Sequence, residues 1–544
     1  MKGSFDIAVI GSGFAGSLLA ILCRRLGRSV VLVERGAHPR FAIGESSSPL
    51  ANLLLEELCD RYGLSNLRPL SSWGAWQRRY PDIACGLKRG FTFYGHRFGL
   101  PFAADPDRGD QLLVAASPRD EVADTHWYRA DFDAFLAGQA QEEGAVYFDH
   151  TRLDVVSAAP GGFELAGHRE GRTVSLRARF LADASGPGGF LQRALALPSG
   201  RFPGLPSTQG LYTHFEGARR LEDIGIFESG EEPPYPVDDA AVHHVFEGGW
   251  IWVLRFNNGI TSAGVAAAPA LGGELRLADG APAWDRLLAR LPTVRRQFER
   301  ARPVLPFVYR GTLPFRSLRA AGETWALVPS AAAFVDPLLS TGFPLALLGL
   351  ARLAEAIETS WGRDSFARRL NAYEKQTLFE ADAAALLVSA LFASFADFPL
   401  FASLSKLYFA AASFAETARR LERADLAKSF LCADHATFGP ALEECCRLVN
   451  EAFGRGGPTP PEREDLLGRL ARAIEPLDVA GLGDRGRRNW HPVLARDLIA
   501  GAPKVLASPA DIENLLARSG FFAANGRVSG RRSRLESQES GPGP

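Results

Sequence analysis

Lys88 sits in Cys85-Gly86-Leu87-Lys88-Arg89-Gly90-Phe91-Thr92-Phe93, a strand-like segment with apolar neighbours. An amine buried there loses hydration, tends toward its neutral form and becomes available for chemistry. The same pattern suits a lysine that lays its stem on apolar surface at a strand edge. In Gly249-Trp250-Ile251-Trp252-Val253-Leu254, Trp250 and Trp252 share one face of a strand. They can wall a channel with rigid apolar surface, or simply fill a core. Gly11, Gly13 and Gly16 form GxGxxG, the spacing of a loop that carries a pyrophosphate.

These residues need elements to hold them. FDIAVI (5–10) reads as a buried parallel strand, 17–26 as a helix stopped by Gly27, and SVVLVE (29–34) as a second strand. The glycines therefore fall between strand and helix. There Gly11 permits a tight turn, Gly13 lets backbone approach phosphate and Gly16 lets helix and strand pack closely. Phe14 and Ala15, inside the glycine motif, are expected cofactor contacts ahead of the helix N-terminus that faces the phosphates, and Glu34 ends the second strand where a ribose hydroxyl is held. Further along, 49–62 reads as a helix, the stretch with Trp73 and Trp76 as a loop, and 85–98 and 241–265 as strands of a second layer with alternating polarity. A long, mostly helical tail begins near Leu345. GRGGPTPPERED (454–465) reads as a linker or surface loop, and the end of the chain as disordered.

Later segments separate FAD from other dinucleotides. HPRFAIGES (38–46), with Arg40, Glu45 and Ser46, resembles the second contact segment of FAD monooxygenases and halogenases. HWYRADFDAFL (126–136) resembles the helix start whose arginine, here Arg129, contacts FAD. FLADASGPGG (180–189), with Asp183, resembles the strand and turn that close over the adenosine half. WALVPSAAAFVDPLLSTGF (325–343) resembles the region that wraps the ribityl chain and ends beside the flavin ring, with Ser330, Asp336, Gly342 and Phe343 as contacts. Pro329-Ser330-Ala331 stands where that superfamily usually has Gly-Asp-Ala. The missing carboxylate predicts looser flavin that exchanges more readily.

Taken together, the lysine segment, WIW and the FAD segments resemble the flavin-dependent halogenases, phenolic branch, over roughly residues 5–400. WIW resembles the family's WxWxxP signature, with Arg255 in place of proline. The resemblance implies an α/β fold: a Rossmann-like FAD-binding domain of the glutathione-reductase/p-hydroxybenzoate-hydroxylase type. This domain would be interleaved with a β-sheet substrate domain and followed by a helical C-terminal region. It implies that FADH2 and O2 convert chloride or bromide, held at the backbone of Ser340, Thr341 and Gly342, into hypohalous acid. The acid passes the Trp250/Trp252 wall to Lys88, the catalytic residue, which delivers halogen to an electron-rich ring. A separate flavin reductase supplies FADH2, and the small aromatic substrate is free or tethered to a carrier. Tryptophan-type members place a glutamate where this chain has Leu339, which favours a phenol that activates its own ring.

Three readings compete. An FAD-dependent aromatic monooxygenase would be reduced by NAD(P)H alone and would have no use for Lys88. A geranylgeranyl-type reductase would work without O2, and a degenerate flavin-binding protein would not turn over. The 544 residues divide into a core at 1–385 (its substrate sheet about 70–125 and 200–315), a helical region at 386–525 covering the substrate pocket, and a tail at 526–544. A formal net charge of -1 gives no electrostatic case for nucleic acid or membrane. Six cysteines without metal-ligand spacing argue against a metal site and suit a reducing cytosol. The most apolar run, Ala383 to Ala396, is too short to span a bilayer, so the chain is expected to be soluble and cytoplasmic.

Overall fold

The structure, a computed structural model, describes residues 2–226 and 232–522, so the tail expected at 526–544 lies outside the described residues. β1 (Lys2–Ile10) is the centre of a seven-stranded sheet, parallel to β2 (Val30–Val33) on one side and to the strand Arg172–Asp183 on the other. Its Ile7–Ile10 run is buried because helices cover both faces, which is why the sequence there is continuously apolar rather than alternating. α1 (Phe14–Arg25) returns the chain between β1 and β2. α2 spans Pro49–Tyr62, with the Ser48 side chain capping its first turn.

A nine-stranded sheet forms the second layer. It draws β4 (Gly90–Gly95) and β5 (Gln111–Ala115) from the first quarter of the chain, six strands from 209–310, and Trp490–His491 from the far end. Alternation was expected here, yet all seven positions of Thr261–Ala267 and all six of Ala241–Phe246 are buried. The reason is a two-sided cover. Helix Phe398–Arg420 seats Phe401 and Phe409 on Phe93 and Phe91, while Trp284 and Phe298 from 281–298 fill the opposite face around Phe215. A small two-stranded sheet, β3 (Cys85–Lys88) against β6 (Asp124–Trp127), joins the layers just before α4 (Arg129–Glu142).

Several expectations change. The stretch with Trp73 and Trp76 is no loop but a helix, α3 (Trp73–Arg79), whose Trp76 is buried on Phe132. The 454–465 linker ends early, because Thr459 and Glu462 form a capping box that starts helix Pro460–Ile474. Helix Ser365–Ala393 runs unbroken through position 385, and Trp490–His491 pairs with β5, so chain order does not separate a core from a tail. Finally, the apolar run is part of longer elements. Leu338–Ser360, Ser365–Ala393 and Phe398–Arg420 are each long and apolar enough to cross a membrane, and 61–72% of their apolar windows is buried inside this fold. Their apolar faces are used by one another and by the second sheet.

Candidate active site

The glycine loop follows β1 directly. Gly11 has φ +97, and a Cβ on Gly16 would lie 1.9 Å from the Gly11 carbonyl, so only glycine fits. Gly13 starts α1 without a side-chain cap, leaving the first N–H groups of the helix to a ligand. A Cβ at Gly13 would sit 3.5 Å from Arg129 Nη2 and 3.9 Å from Arg40 Nη2, so two guanidinium tips edge the loop. Glu34 accepts from the Ser12 and Gly36 amides and the Ser12 hydroxyl at 3.0–3.2 Å, and from Arg40 at 3.3 Å. Burial raises its pKa, but these donors outweigh it and hold the carboxyl below the usual range. Helix N-terminus, flanking arginines and an ionised carboxylate in register are the donor set a dinucleotide needs, and Arg40 Nε and Glu45 Oε2 are buried without a partner. The residues present fit FAD.

The remaining expected contacts also carry structural bonds. Arg129 is locked in a bidentate pair with Asp133 at 2.7 Å and donates to the Ile43 and Gly44 carbonyls, which fixes the 43–46 turn against α4. Glu45 is buried and accepts from His214 Nε2 at 2.8 Å. Asp183 spends both oxygens on its own turn, accepting from the Ser185 amide and hydroxyl and the Leu191 amide. Its bonds close the loop at the end of the strand that pairs with β1. Phe14 and Phe343 pack edge to face, and Phe343 stacks on Trp127 at 4.3 Å. Ala15 lies buried in the first turn of α1, and Ser330 follows Pro329 in a four-residue helix whose proline packs against Gly349.

Leu339 and Ser340 adopt left-handed backbone, φ +61 and +56, immediately before helix Gly342–Ser360. Two left-handed non-glycine residues in succession thus precede a helix start that no side chain caps, a setting in which backbone N–H groups can serve an anion. Asp336 is buried beside this turn. It accepts from the Leu338 amide and Trp250 Nε1 at 3.1 Å and from the Thr208 hydroxyl at 3.2 Å. Burial nevertheless pushes its carboxyl up to about 7.

Trp250 joins this turn to the lysine. Its ring stacks on His243 at 5.1 Å, His243 stacks on Phe93 at 4.3 Å, and Phe91 lies 6.1 Å from His243. Trp252 shares Trp250's face but turns its N–H to Ser262 on the next strand. Arg255 reaches Asp238 and the Ala218 and Arg219 carbonyls, a structural use for the position where proline was expected.

Lys88 is fully buried at the end of this aromatic row, its Nζ 3.7 Å from the Phe91 ring centroid. The amine donates to Ser46 Oγ at 2.8 Å and to the Ser47 carbonyl. Burial pushes its pKa down, opposed by Asp124, the cross-strand partner of Lys88. Asp124, Asn52, Ser47, His126, His243 and Tyr408 around the amine were not anticipated. An acidic residue inside the short strand Asp124–Trp127 was the one local sign. Beyond Phe91 lies a cavity of about 170 Å³, lined mainly by apolar side chains including Val114, Tyr408, Phe409, Leu516 and Phe521, with Glu416 and Arg420 among its polar residues.

Residues 9–71 match the model of the NAD(P)-binding Rossmann-like domain family. Tetracycline 7-halogenase of Kitasatospora aureofaciens is 30% identical over 420 residues, 74% of this chain and 72% of that protein. Monodechloroaminopyrrolnitrin halogenase PrnC of Pseudomonas fluorescens is 29% identical over 411 residues, covering 74% and 70%. The crystal structure of halogenase PltM in complex with phloroglucinol and FAD superposes with a TM-score of 0.78 at 23% identity, over 89% of this chain and 99% of that one, a shared fold. With a dinucleotide-binding loop after β1 and a buried lysine at the end of an aromatic row, the chain belongs to the flavin-dependent halogenases.

Proposed function

We propose that this halogenase acts on a small phenolic ring and that Lys88 delivers the halogen. The observation that carries the reading is the row of buried rings from Trp250, beside the Asp336 turn, to the Lys88 amine. Gly11, Gly13, Gly16 and the start of α1 would hold the FAD pyrophosphate, Glu34 its ribose, and Arg40 and Arg129 the edge of the loop. Reduced flavin, when bound, supplies with O2 the two-electron oxidation of halide to hypohalous acid. The backbone of Ser340–Gly342 holds the halide. Trp250, Trp252, His243 and Phe93 exclude water along the way, so the oxidant is not lost to solvent. The Lys88 ammonium hydrogen-bonds the hypohalous oxygen. As the oxygen–halogen bond breaks and the carbon–halogen bond forms, it protonates the departing hydroxide to water, and the proton displaced from the ring restores the ammonium.

Two features support a phenol. Leu339 brings no carboxylate to the halide turn, so the substrate must activate its own ring. The cavity of about 170 Å³ matches one ring, since an apolar cavity of roughly 150 Å³ holds benzene. PltM, which shares the fold, has been crystallised with phloroglucinol. A separate flavin reductase working from cytoplasmic NADH is the natural source of reduced cofactor.

The test supplies FAD, a flavin reductase, NADH, bromide and phloroglucinol or resorcinol, and identifies products by mass. Halogenated product is expected, with loss on the order of 10²–10⁴-fold in Lys88→Ala while flavin binding persists. Hydroxylated product, or unchanged turnover in that variant, overturns the reading.

A further inference from the structure

We infer that Asp124 is the positioning residue of Lys88, the buried counter-charge that keeps the amine protonated and oriented for halogen delivery. The inference rests on the reading of Lys88 above. β6 lies between two segments that carry the site. On one side β3 pairs with it antiparallel, placing Lys88 opposite Asp124. On the other, residues 45–47 run along it: the Trp127 amide donates to the Glu45 carbonyl at 2.6 Å, Ser46 bridges His126, and the Ser47 hydroxyl donates to the Thr125 carbonyl at 2.6 Å. The Lys88 side chain therefore reaches over β6 to Ser46 and Ser47, and both its neighbours are neutral acceptors. They orient the amine but do not balance its charge.

Asp124 supplies that charge. Asn52 of α2 holds one carboxylate oxygen, donating to Oδ1 at 3.0 Å, while Oδ2 is buried and has no hydrogen-bond partner. An unpaired oxygen on a fully desolvated carboxylate costs stability unless a nearby cation uses it. The groups facing the pair are few. His126 on β6 and His243 on the strand beside β4 are held neutral by burial, with pKa values pushed down, that of His243 to about 3. From helix Phe398–Arg420, Glu416 disfavours the Asp124 charge, Arg420 favours it and is itself paired with Glu416 at 2.9 Å, and the buried Tyr408 phenol stays protonated. Among the described residues Asp124 is the acid acting on Lys88. Burial moves the two toward each other, Lys88 down and Asp124 up, so that the protonation of each depends on the other.

The sign of the pH effect follows. With Asp124 present, the ammonium survives to higher pH than a solitary buried amine would. Asp124→Asn keeps the shape and the Asn52 contact but removes the charge. The high-pH limb of kcat/KM is expected to move down by about one unit, so the variant loses about tenfold at the alkaline end and far less near pH 6. Asp124→Glu, which keeps the charge, is expected to keep the wild-type limb at reduced kcat. Asn52→Leu is a second probe that leaves Lys88 and Asp124 in place. Without its donor Asp124 ionises less readily, so the limb is expected to move the same way by a smaller amount. A uniform loss with an unmoved limb in Asp124→Asn, or in Asn52→Leu if the first variant fails to fold, overturns the inference. If Lys88→Ala retains turnover, the delivery reading itself has failed. If Lys88→Ala is dead but the limb stays in place in these variants, only the role of Asp124 has.

Discussion

Single residues in this protein are set by what burial does to their charge. Lys88 and Asp336 are both enclosed, and both are displaced toward their neutral forms. Asp336 makes a prediction separable from catalysis. Burial pushes its carboxyl up to about 7 in the fold from the ordinary 3.8 of an exposed aspartate, so the fold binds its proton more tightly than the unfolded chain does. A raised folded pKa means that the stability it confers is complete below pH 4, drains away as pH climbs to about 7, and is flat above. Asp336→Asn cannot titrate. The melting temperature of the variant relative to wild type is therefore expected to rise between pH 5 and pH 8 by about 2–5 °C. Flavin-free protein followed by circular dichroism at the two pH values checks this, and a pH-independent difference would show that the carboxyl is not held protonated.

Secondary elements turn such residues into a site by bringing backbone close to backbone. The β1–α1 junction has no slack, as the 1.9 Å clearance at Gly16 shows. Gly16→Ala must push α1 off β1, which displaces the Gly13 N–H groups from between Arg40 and Arg129. The variant is expected to purify without flavin and to fail to regain it from solution. Absorbance near 450 nm after gel filtration with FAD reports this directly, and a full flavin complement would mean the loop is not the pyrophosphate site. At this scale the sequence was informative, because β1, α1, β2 and α2 obey local periodicity and capping. α3 was hidden: a helix of seven residues has too few turns to show a period, and it exists because Trp76 is held between Phe132 and the Ile83 carbonyl.

Across the whole molecule, distant parts of the chain close the site. The last helix among the described residues, Pro509–Arg518, contributes Ile512, Leu515 and Leu516 to the cavity wall, about 400 residues after Phe91, which lines it too. A chain ending at Ala507 keeps the flavin loop, Lys88 and both sheets but opens that wall. Flavin binding is expected to persist, while organic product per NADH consumed falls several-fold and free hypohalous acid, trapped by an added scavenger such as monochlorodimedone, rises. Equal coupling in the two chains would show that the helix does not seal the pocket.

The sequence by itself determined the dinucleotide loop, the order of the first elements and the halogenase signature. Each depends on neighbours a few residues apart: glycines that a turn requires, an apolar run that a buried strand requires, tryptophans two residues apart on one face. Tertiary structure alone decided that Lys88 is fully enclosed and not snorkelling, that Asp124 stands opposite it, and that Asp183 closes its own turn. Burial and charge pairing depend on strand register and on helices that arrive hundreds of residues later. Lys88 and Asp124 are separated by 36 positions yet share one cross-strand pair, and no local pattern encodes that distance.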